Sequence, residues 1–531
     1  MNKFKWNNHI YFEDNSGYFK KRQFRIQEEI SEESFQRVYA NYLKFKKKVD
    51  KFNRDQIIEL KKKISSLEKS SNKIVLDLFC GAGGLSLGFE KAGFEVVLAI
   101  DKDFSACQTY NFNFKKTAVL CLDLTDLEVK PNLLEKKFGI EKLNFDIIIG
   151  SPPCQGFSLI SRSKIRSLIQ NNTWNDPELF TDEIHYNKDT HWFYNDPRNI
   201  LYKKFLNYVN YFKPLIFVIE NVPGMKSYHN GRIITQIKLD FEDIGYSIQN
   251  KILNSVDFNV PQKRKRLFFI GVYCESKKKA RRRNQFVQIS KKKALDLYLE
   301  FNTKNPYPPL FKFPNGSSKY NILYKKFFTV RDAIGDLNEI TTFGEEVPYN
   351  LNNLKNDYLK LLRKNVKEKK IYNFKPRDMV KRDKEIFRFL EQGDKYKDLP
   401  KKIRDFYYNK QLKKNKIKNI QKIINSKIKE CMPYGDGKKF GDKLKRLIWD
   451  EPSWTLVAHI YKDGYMYIHP EQDRTLSVRE AARLQSFPDS FIFKSSRTNQ
   501  FKHVGNAVPP LMSQILAHYL LDYINDINNK N

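Results

Sequence analysis

The chain predicts an α/β fold in which a mainly parallel sheet carries helices on both faces, joined to a smaller irregular domain. Three observations carry this. From Lys73 to Val272, strand-like apolar runs alternate with helix-like segments, the grammar of a parallel sheet. The first of these runs ends in the tight turn Gly81-Ala82-Gly83-Gly84, as in the opening βα unit of a nucleotide-binding half. After Tyr273 the alternation stops, and residues 273–473 become long, lysine-laden and irregular.

Residues 1–70 read as a helical extension. Phe35, Val38, Tyr42, Phe45, Val49 and Phe52 recur at three-four spacing, and Ile57, Leu60, Ile64 and Leu67 resume it after Asn53-Arg54-Asp55. The pattern predicts an amphipathic pair of helices, broken near residue 53, with lysine-rich outer faces. Helices with such stripes more often dock on their own domain than on DNA, and docking is the expectation.

Within residues 71–272 the first strand is Ile74–Phe79, and a helix from Leu85 to Ala92 is stopped by Gly93. Further strands are expected at 95–100, 118–122, 145–149 and 215–219. Residues 251–256 and 266–272 read as a closing, hairpin-like pair. In the irregular region, 351–371 and 401–430 look helix-like, with Lys277–Arg283 a basic run near its start. Ordered patterning returns at Arg474, and Pro509 to Ile524 is a good helix.

Composition narrows the function. A chain of 531 residues with 40% hydrophobic content has room for two or three domains and a large core. The formal charge of +35 points to a polyanionic partner, nucleic acid first. Frequent Lys, Asn and Ile would also follow from a biased genomic base composition. The six cysteines form no CxxC pair and have no companion histidine spacing, which argues against zinc or a disulfide framework and for a reducing cytosol. No apolar run is long enough to span a bilayer, and Met1–Trp6 contains no apolar signal region. A soluble cytoplasmic protein is expected.

Ligands of open parallel sheets bind at the carboxyl ends of the strands. Asp101, Asp123, Cys154 and Glu220 all fall at such ends. The glycine turn reads Gly81-x-Gly83-Gly84, without the spacing that makes room for a pyrophosphate. Asp101, about 20 residues after it, sits where an acid takes ribose hydroxyls. Asp123 in Leu122-Asp123-Leu124 is placed to accept from an adenine amino group. Ribose and adenine without pyrophosphate suit S-adenosylmethionine better than NAD. Cys154 lies in Gly150-Ser151-Pro152-Pro153-Cys154-Gln155-Gly156-Phe157-Ser158, where proline and glycine can present one thiolate nucleophile. A lone Glu220 more commonly caps the next helix, but beside a nucleophilic cysteine it is a candidate acid. Arg264 and Arg266 lead into the apolar strand Leu267–Ile270, so alternation can aim one set of side chains inward.

Taken in order, these elements resemble the DNA (cytosine-5) methyltransferase family of bacterial restriction-modification type. The matching blocks are Asp77–Gly84, Gly150–Ser158, Asp196-Pro197-Arg198-Asn199, Glu220-Asn221-Val222-Pro223-Gly224 and Gln262-x-Arg264-x-Arg266. Two more follow downstream, Arg474–Pro488 and Gly505-Asn506-Ala507-Val508-Pro509-Pro510. The resemblance implies a Rossmann-like, S-adenosylmethionine-dependent fold with a mixed sheet and a target-recognition domain at 273–473. The catalytic domain, 71–272, would be completed by a C-terminal return at 474–531.

It further implies that Cys154 adds to C6 of a flipped cytosine, Glu220 serves its N3 edge and Arg264 holds O2, with Arg266 in the same catalytic set. Phe79, Gly81, Gly83, Gly84, Asp101, Asp123, Leu124 and Asn506 would bind the cofactor, and no metal is implied. Double-stranded DNA is the implied substrate, a separate cognate restriction endonuclease is compatible, and a monomer is expected. The 1–70 extension has no counterpart in the family pattern, and residues 159–195, with Trp174 and Trp192, form a longer connection that reads as an enlarged lid. A tRNA methyltransferase of the same family and an inactive DNA-binding regulator are the alternatives; the long variable region argues against the first, and the intact Cys154, Glu220 and Arg264 set against the second.

Overall fold

A computed structural model describes residues 9–13, 19–23, 32–67, 72–126, 129–139, 143–153, 201–227, 231–274, 327–339, 342–350, 356–364, 366, 368–412, 420–432, 441–462 and 464–529. The chain divides into two compact units: residues 1–254, 265–322 and 512–531 in the first, and 255–264 and 323–511 in the second. Residues 474–511, expected with the catalytic return, thus fall in the second unit.

The first unit opens with the antiparallel pair β1 (His9–Glu13) and β2 (Phe19–Gln23), followed by α1 (Glu32–Leu67). Its core is a seven-stranded sheet. The strands are β3 (Ile74–Leu78), β4 (Glu95–Asp101), β5 (Ala118–Cys121), β6 (Ile147–Gly150), β7 (Ile216–Asn221), β8 (Tyr246–Asn254) and, after the two-residue β9 (Gln262–Lys263) of the second unit, β10 (Lys265–Tyr273). Their order is β5-β4-β3-β6-β7-β10-β8, with β10 antiparallel to both its neighbours and the other pairs parallel. Strands β3, β5, β6 and β7 are buried along their whole length, which is why they read as apolar runs broken only by Asp77, Glu220 and Asn221. The expected closing pair is there, but β8 begins at Tyr246, and residues 255–258 form a 3₁₀ turn.

Helices α2 (Gly84–Lys91), α3 (Phe104–Asn113), α4 (Pro131–Phe138), α5 (Leu201–Phe212) and α6 (Arg232–Glu242) fill the crossovers. The chain returns to this unit at Met512: Ser513 Oγ donates to Leu85 O at 2.6 Å. A Cβ on Gly88 would come within 2.4 Å of Gln514 N, so glycine there permits the close approach.

The N-terminal helix corrects one expectation. It is a single helix through Asn53-Arg54-Asp55 rather than a pair. Asn53 donates to Cys121 O (3.1 Å) and accepts from Cys121 N (2.7 Å), while Gln56 accepts from Val119 N (3.1 Å). Polar residues that look like a break in the stripe satisfy the outer edge of β5. Docking on the chain's own domain is observed, with Leu60, Ile64 and Leu67 in the core of the unit.

The second unit contains α7 (Val330–Ile334), α8 (Asp357–Leu362), α9 (Lys381–Phe387), α10 (Leu399–Leu412) and α11 (Ile420–Cys431). The antiparallel pair β11 (Gly344–Pro348) and β12 (Lys370–Phe374) and the parallel pair of β9 with β13 (Ser453–Trp454) belong to it as well. Residues 351–371 are therefore not one helix. Helices α12 (Val478–Leu484) and α13 (Arg497–Asn506) follow, and α14 (Pro510–Asn529) begins at the end of this unit. Buried arginines of the Arg474–Pro488 block organise the unit. Arg483 bonds Asp336 (2.7 Å) and Asp489 (2.8 Å), Arg363 bonds Asp489 (2.8 Å), and Arg474 bonds Glu480 (2.7 Å). Among the described residues no helix is long and apolar enough to cross a membrane.

This network makes the second unit acid-sensitive. Burial lowers the pKa of His469 to about 4, and its Nδ1 accepts from Glu471 N (3.2 Å) and Gln472 N (3.0 Å), bonds that protonation would break. Burial would raise Glu480, but Arg474 outweighs it and holds the carboxyl at about 2. Both groups are depressed on folding, so each adds stability above its ordinary pKa and loses it as pH falls through the folded value. Stability should fall by on the order of 2–3 kcal/mol between pH 6.5 and 4 through His469, and further below pH 4.5 through Glu480. Denaturant melts across that range should show a flatter acid limb for His469→Gln.

Candidate active site

The parallel strands β3 to β7 bring their carboxyl ends to one edge of the first unit, where Phe79, Asp101, Gly150 and Glu220 stand. At the end of β3 the chain turns sharply. Phe79 takes a left-handed φ of 57°, and Gly81 and Gly83 have φ of 54° and 93°. A non-glycine residue held there stores backbone strain of the kind found at binding sites. The two glycines differ in purpose. A Cβ on Gly83 would strike Phe114 at 2.4 Å, whereas one on Gly81 would meet nothing within 4 Å. Gly83 admits close packing; Gly81 borders open space. Gly84 is buried at the start of α2.

Asp101 closes this turn from β4. One carboxylate oxygen accepts from Gly81 N (2.8 Å) and the other from Asp103 N (2.8 Å). Asp123, after β5, accepts from Thr125 N (2.9 Å) and lies 3.7 Å from Lys102 Nζ. Its half-exposed carboxylate faces outward at the same edge, while Leu124 is buried in the core. Beneath the turn, Tyr110 donates to Ser86 (2.8 Å) and Ser86 to Asp77 (2.5 Å). Burial pushes the Asp77 carboxyl up to about 8, and burial beside Asp77 and Asp101 pushes the Cys80 thiol well up, so Cys80 is not a reactive thiolate.

Glu220, near the carboxyl end of β7, pairs with Arg266 of β10 at 2.9 Å, and both side chains are largely buried. The register places Phe268 opposite Glu220, so the arginine reaches across from two residues away. Burial lowers the Arg266 pKa, and Glu220 opposes that shift. Asn221 Nδ2 donates to Pro152 O at 3.3 Å, tying β7 to the loop that leads to residue 154. Gly150 lets that loop start close to β3, since a Cβ would meet Leu78 O at 2.4 Å. Cys154 itself lies outside the described residues, as do Asp196–Asn199 and the 159–195 connection.

The alternation expected at residues 262–266 is present. Gln262 and Arg264 are buried and Arg266 is nearly so, whereas Lys263 and Lys265 are exposed. Arg264 belongs to the second unit, where its Nη1 donates to Leu456 O (2.5 Å) and Gly505 O (3.2 Å). Asn506 is exposed at the end of α13 in that unit. The arginine that meets Glu220 is thus Arg266. Asn221 and Asp77 were not singled out from the sequence, although both stand inside quoted blocks; Asn221 bonds Pro152, 69 residues away, and Asp77 bonds Ser86 across the glycine turn.

The family model for C-5 cytosine-specific DNA methylase matches residues 74–521. The type II methyltransferase M.AgeI of Thalassovita gelatinovora is 30% identical over 467 residues, spanning 83% of this chain and 97% of that protein. The type II methyltransferase M.DdeI of Desulfomicrobium norvegicum is 30% identical over 466 residues, spanning 86% and 90%. A solved Escherichia coli structure, described as a prophage-encoded DNA modification methyltransferase, aligns with a TM-score of 0.55 at 23% identity. It covers 85% of this chain and 99% of that one, and it supports the fold alone.

Proposed function

The chain belongs to the C-5 cytosine-specific DNA methylase family, and from that premise we propose that it methylates C5 of a cytosine flipped out of duplex DNA, using S-adenosylmethionine. The Glu220–Arg266 pair carries the proposal: a carboxylate and a guanidinium 2.9 Å apart, at the strand end whose Asn221 holds the loop before Cys154. Attack at C6 and methyl transfer to C5 come through the ring faces, which are stacked in a duplex, and the N3 edge is base-paired, so the base must leave the stack, at a cost of a few kcal/mol.

Cytosine C5 is a weak nucleophile until an anion adds at C6. The Cys154 thiolate is the group for that addition. Glu220, facing the N3 edge as a carboxylate, takes up a proton and passes it to N3 as the ring becomes an enamine. We assign the O2 contact to Arg266, whose charge opposes the negative charge developing there. Arg264, bonded to two backbone carbonyls, is assigned a supporting place in the second unit. A base, for which water can serve, then takes the C5 proton, the C5–C6 double bond re-forms with expulsion of the Cys154 thiolate, and N3 gives its proton back to Glu220.

The residues at the edge of β3, β4 and β5 fit the methyl donor. Gly81 borders open space, and the Asp101 carboxylate is anchored beside it where ribose hydroxyls can donate. Phe79, Gly81, Asp101 and Asp123 are the residues we assign to hold it, with Gly83 and Gly84 shaping the turn and Leu124 backing it from the core; Asn506 remains part of this assignment from the sequence. When bound, S-adenosylmethionine supplies an electrophilic methyl group to the activated C5.

The net charge of +35 suits a phosphate-rich substrate, and binding should weaken steeply with salt. We further propose that methylation protects host DNA against a separate cognate endonuclease, in the bacterial cytoplasm, and that the enzyme works as a monomer. Bisulfite sequencing of DNA from a methylation-deficient host expressing the chain tests the activity. Protected cytosines in one short recurring context are expected. Unprotected DNA with soluble protein present would direct the search to tRNA substrates.

A further inference from the structure

We infer that helix α1 is a positioning element for the adenosine-binding edge of the sheet: Phe45, Phe52, Asn53 and Gln56 hold the two loops that carry Asp101 and Asp123, and so set the affinity for S-adenosylmethionine. The inference rests on the cofactor assignment proposed above.

Strand β5 is one edge of the seven-stranded sheet. An edge strand presents backbone N–H and C=O groups that need partners. On β5 those partners are side chains. A primary amide carries the same donor and acceptor as a peptide group. Asn53 uses both on Cys121, accepting from its N–H at 2.7 Å and donating to its carbonyl at 3.1 Å. Gln56 accepts from Val119 N one step earlier along the strand. Asn53, Gln56, Leu60 and Ile64 share one helix face, so the apolar stripe and the polar ties form one continuous seam.

This seam ends at the candidate site. Cys121 is the last residue of β5, two before Asp123. Leu122 N donates to Asp101 O at 3.0 Å, and the Cys121 thiol to Lys102 O at 3.6 Å, so the loops after β4 and β5 are tied together. The helix also grips the loop after β4 directly. Phe45 and Phe52 both meet Phe104 edge-on, with ring centroids 5.7 and 5.4 Å apart, and Lys48 Nζ lies 5.3 Å from the same ring. Phe104 opens α3, immediately after Asp103, whose N–H fixes Asp101. Two independent sets of contacts from one helix thus end on Cys121 and Phe104, two and three residues from the acids assigned to adenine and ribose.

Two full-length variants test this, Asn53→Leu and the double Phe45→Leu/Phe52→Leu. The affinity for S-adenosylhomocysteine is measured by calorimetry, and KM for S-adenosylmethionine, KM for DNA and kcat by methyl transfer, at a temperature where thermal melts show each variant folded. The expected result is a cofactor Kd and KM raised roughly tenfold or more, since small misplacements of binding groups are costly, with KM for DNA and kcat within about twofold. Unchanged cofactor affinity in a folded variant, or an equal rise in both KM values, would overturn the inference. If Asn53→Leu does not fold, the double variant decides. A wild-type protein that binds no S-adenosylhomocysteine would instead remove the cofactor assignment itself.

Discussion

Replacing Cys154 with alanine is expected to abolish methyl transfer in a protein that still folds. The reaction has no low-energy path without an anion at C6, because the C5 carbon of an aromatic cytosine has too little nucleophilic density to displace a methyl group. Removing a covalent nucleophile from a preorganised site costs at least roughly 10⁴-fold in kcat. The loop should survive the substitution, since its fixed points lie beside residue 154 rather than on it: Gly150 packed near the Leu78 carbonyl, and Pro152 held by Asn221. A duplex carrying 5-fluorocytosine gives a second readout. Fluorine cannot leave as the C5 proton does, so wild-type protein should be trapped on it in a denaturant-stable adduct and the alanine variant should not. Residual methyl transfer by a folded Cys154→Ala protein would remove the covalent route.

How much of this was legible in the sequence depends on whether the deciding contact was local. The buried strands β3, β5, β6 and β7 read correctly because a strand covered on both faces is predominantly apolar, the exceptions here being Asp77, Glu220 and Asn221. The inward set Gln262, Arg264 and Arg266 followed from strand alternation, a period of two that needs no tertiary information. Alternation could not say which arginine meets Glu220. That depends on the junction between β9 and β10, after which Arg266 lies against β7 while Arg264 turns to the carbonyls of Leu456 and Gly505. The supposed break at Asn53-Arg54-Asp55 failed for a similar reason. Polar residues in an apolar stripe look like an interruption unless the partner surface is a strand edge, which lies 68 residues away at Cys121. Residues 351–371 misled in the opposite direction, since lysine-rich sequence favours helix by propensity, yet Lys370–Phe374 pairs with β11 as a strand. The motif order was legible because each block is short and contiguous; the ties between blocks, such as Asn221 to Pro152, were not.

The second large effect should come from Arg266. Its replacement by alanine leaves Glu220 at 6% exposure without the guanidinium that balances it. Breaking a buried ion pair from one side costs about 3–5 kcal/mol of stability, because the remaining charge cannot regain its hydration. Catalysis should suffer separately. If Arg266 carries the O2 contact, kcat should fall roughly 10²–10³-fold, as for loss of one preorganised donor at a developing oxyanion. Arg266→Lys distinguishes the two effects. Lysine can restore part of the charge balance, but a point charge on a flexible stem does not reproduce the fixed geometry of the guanidinium fork. Stability should therefore recover more than kcat. Arg264→Lys should show a different pattern. Arg264 is 1% exposed and donates to the backbone carbonyls of Leu456 and Gly505 in the second unit, so the substitution should lower that unit's stability while kcat of the folded fraction falls far less. Chemical denaturation and single-turnover kinetics on the three variants separate these outcomes. A larger kcat loss in Arg264→Lys than in Arg266→Lys would return the O2 contact to Arg264 and leave Arg266 as the counter-ion that keeps Glu220 in place.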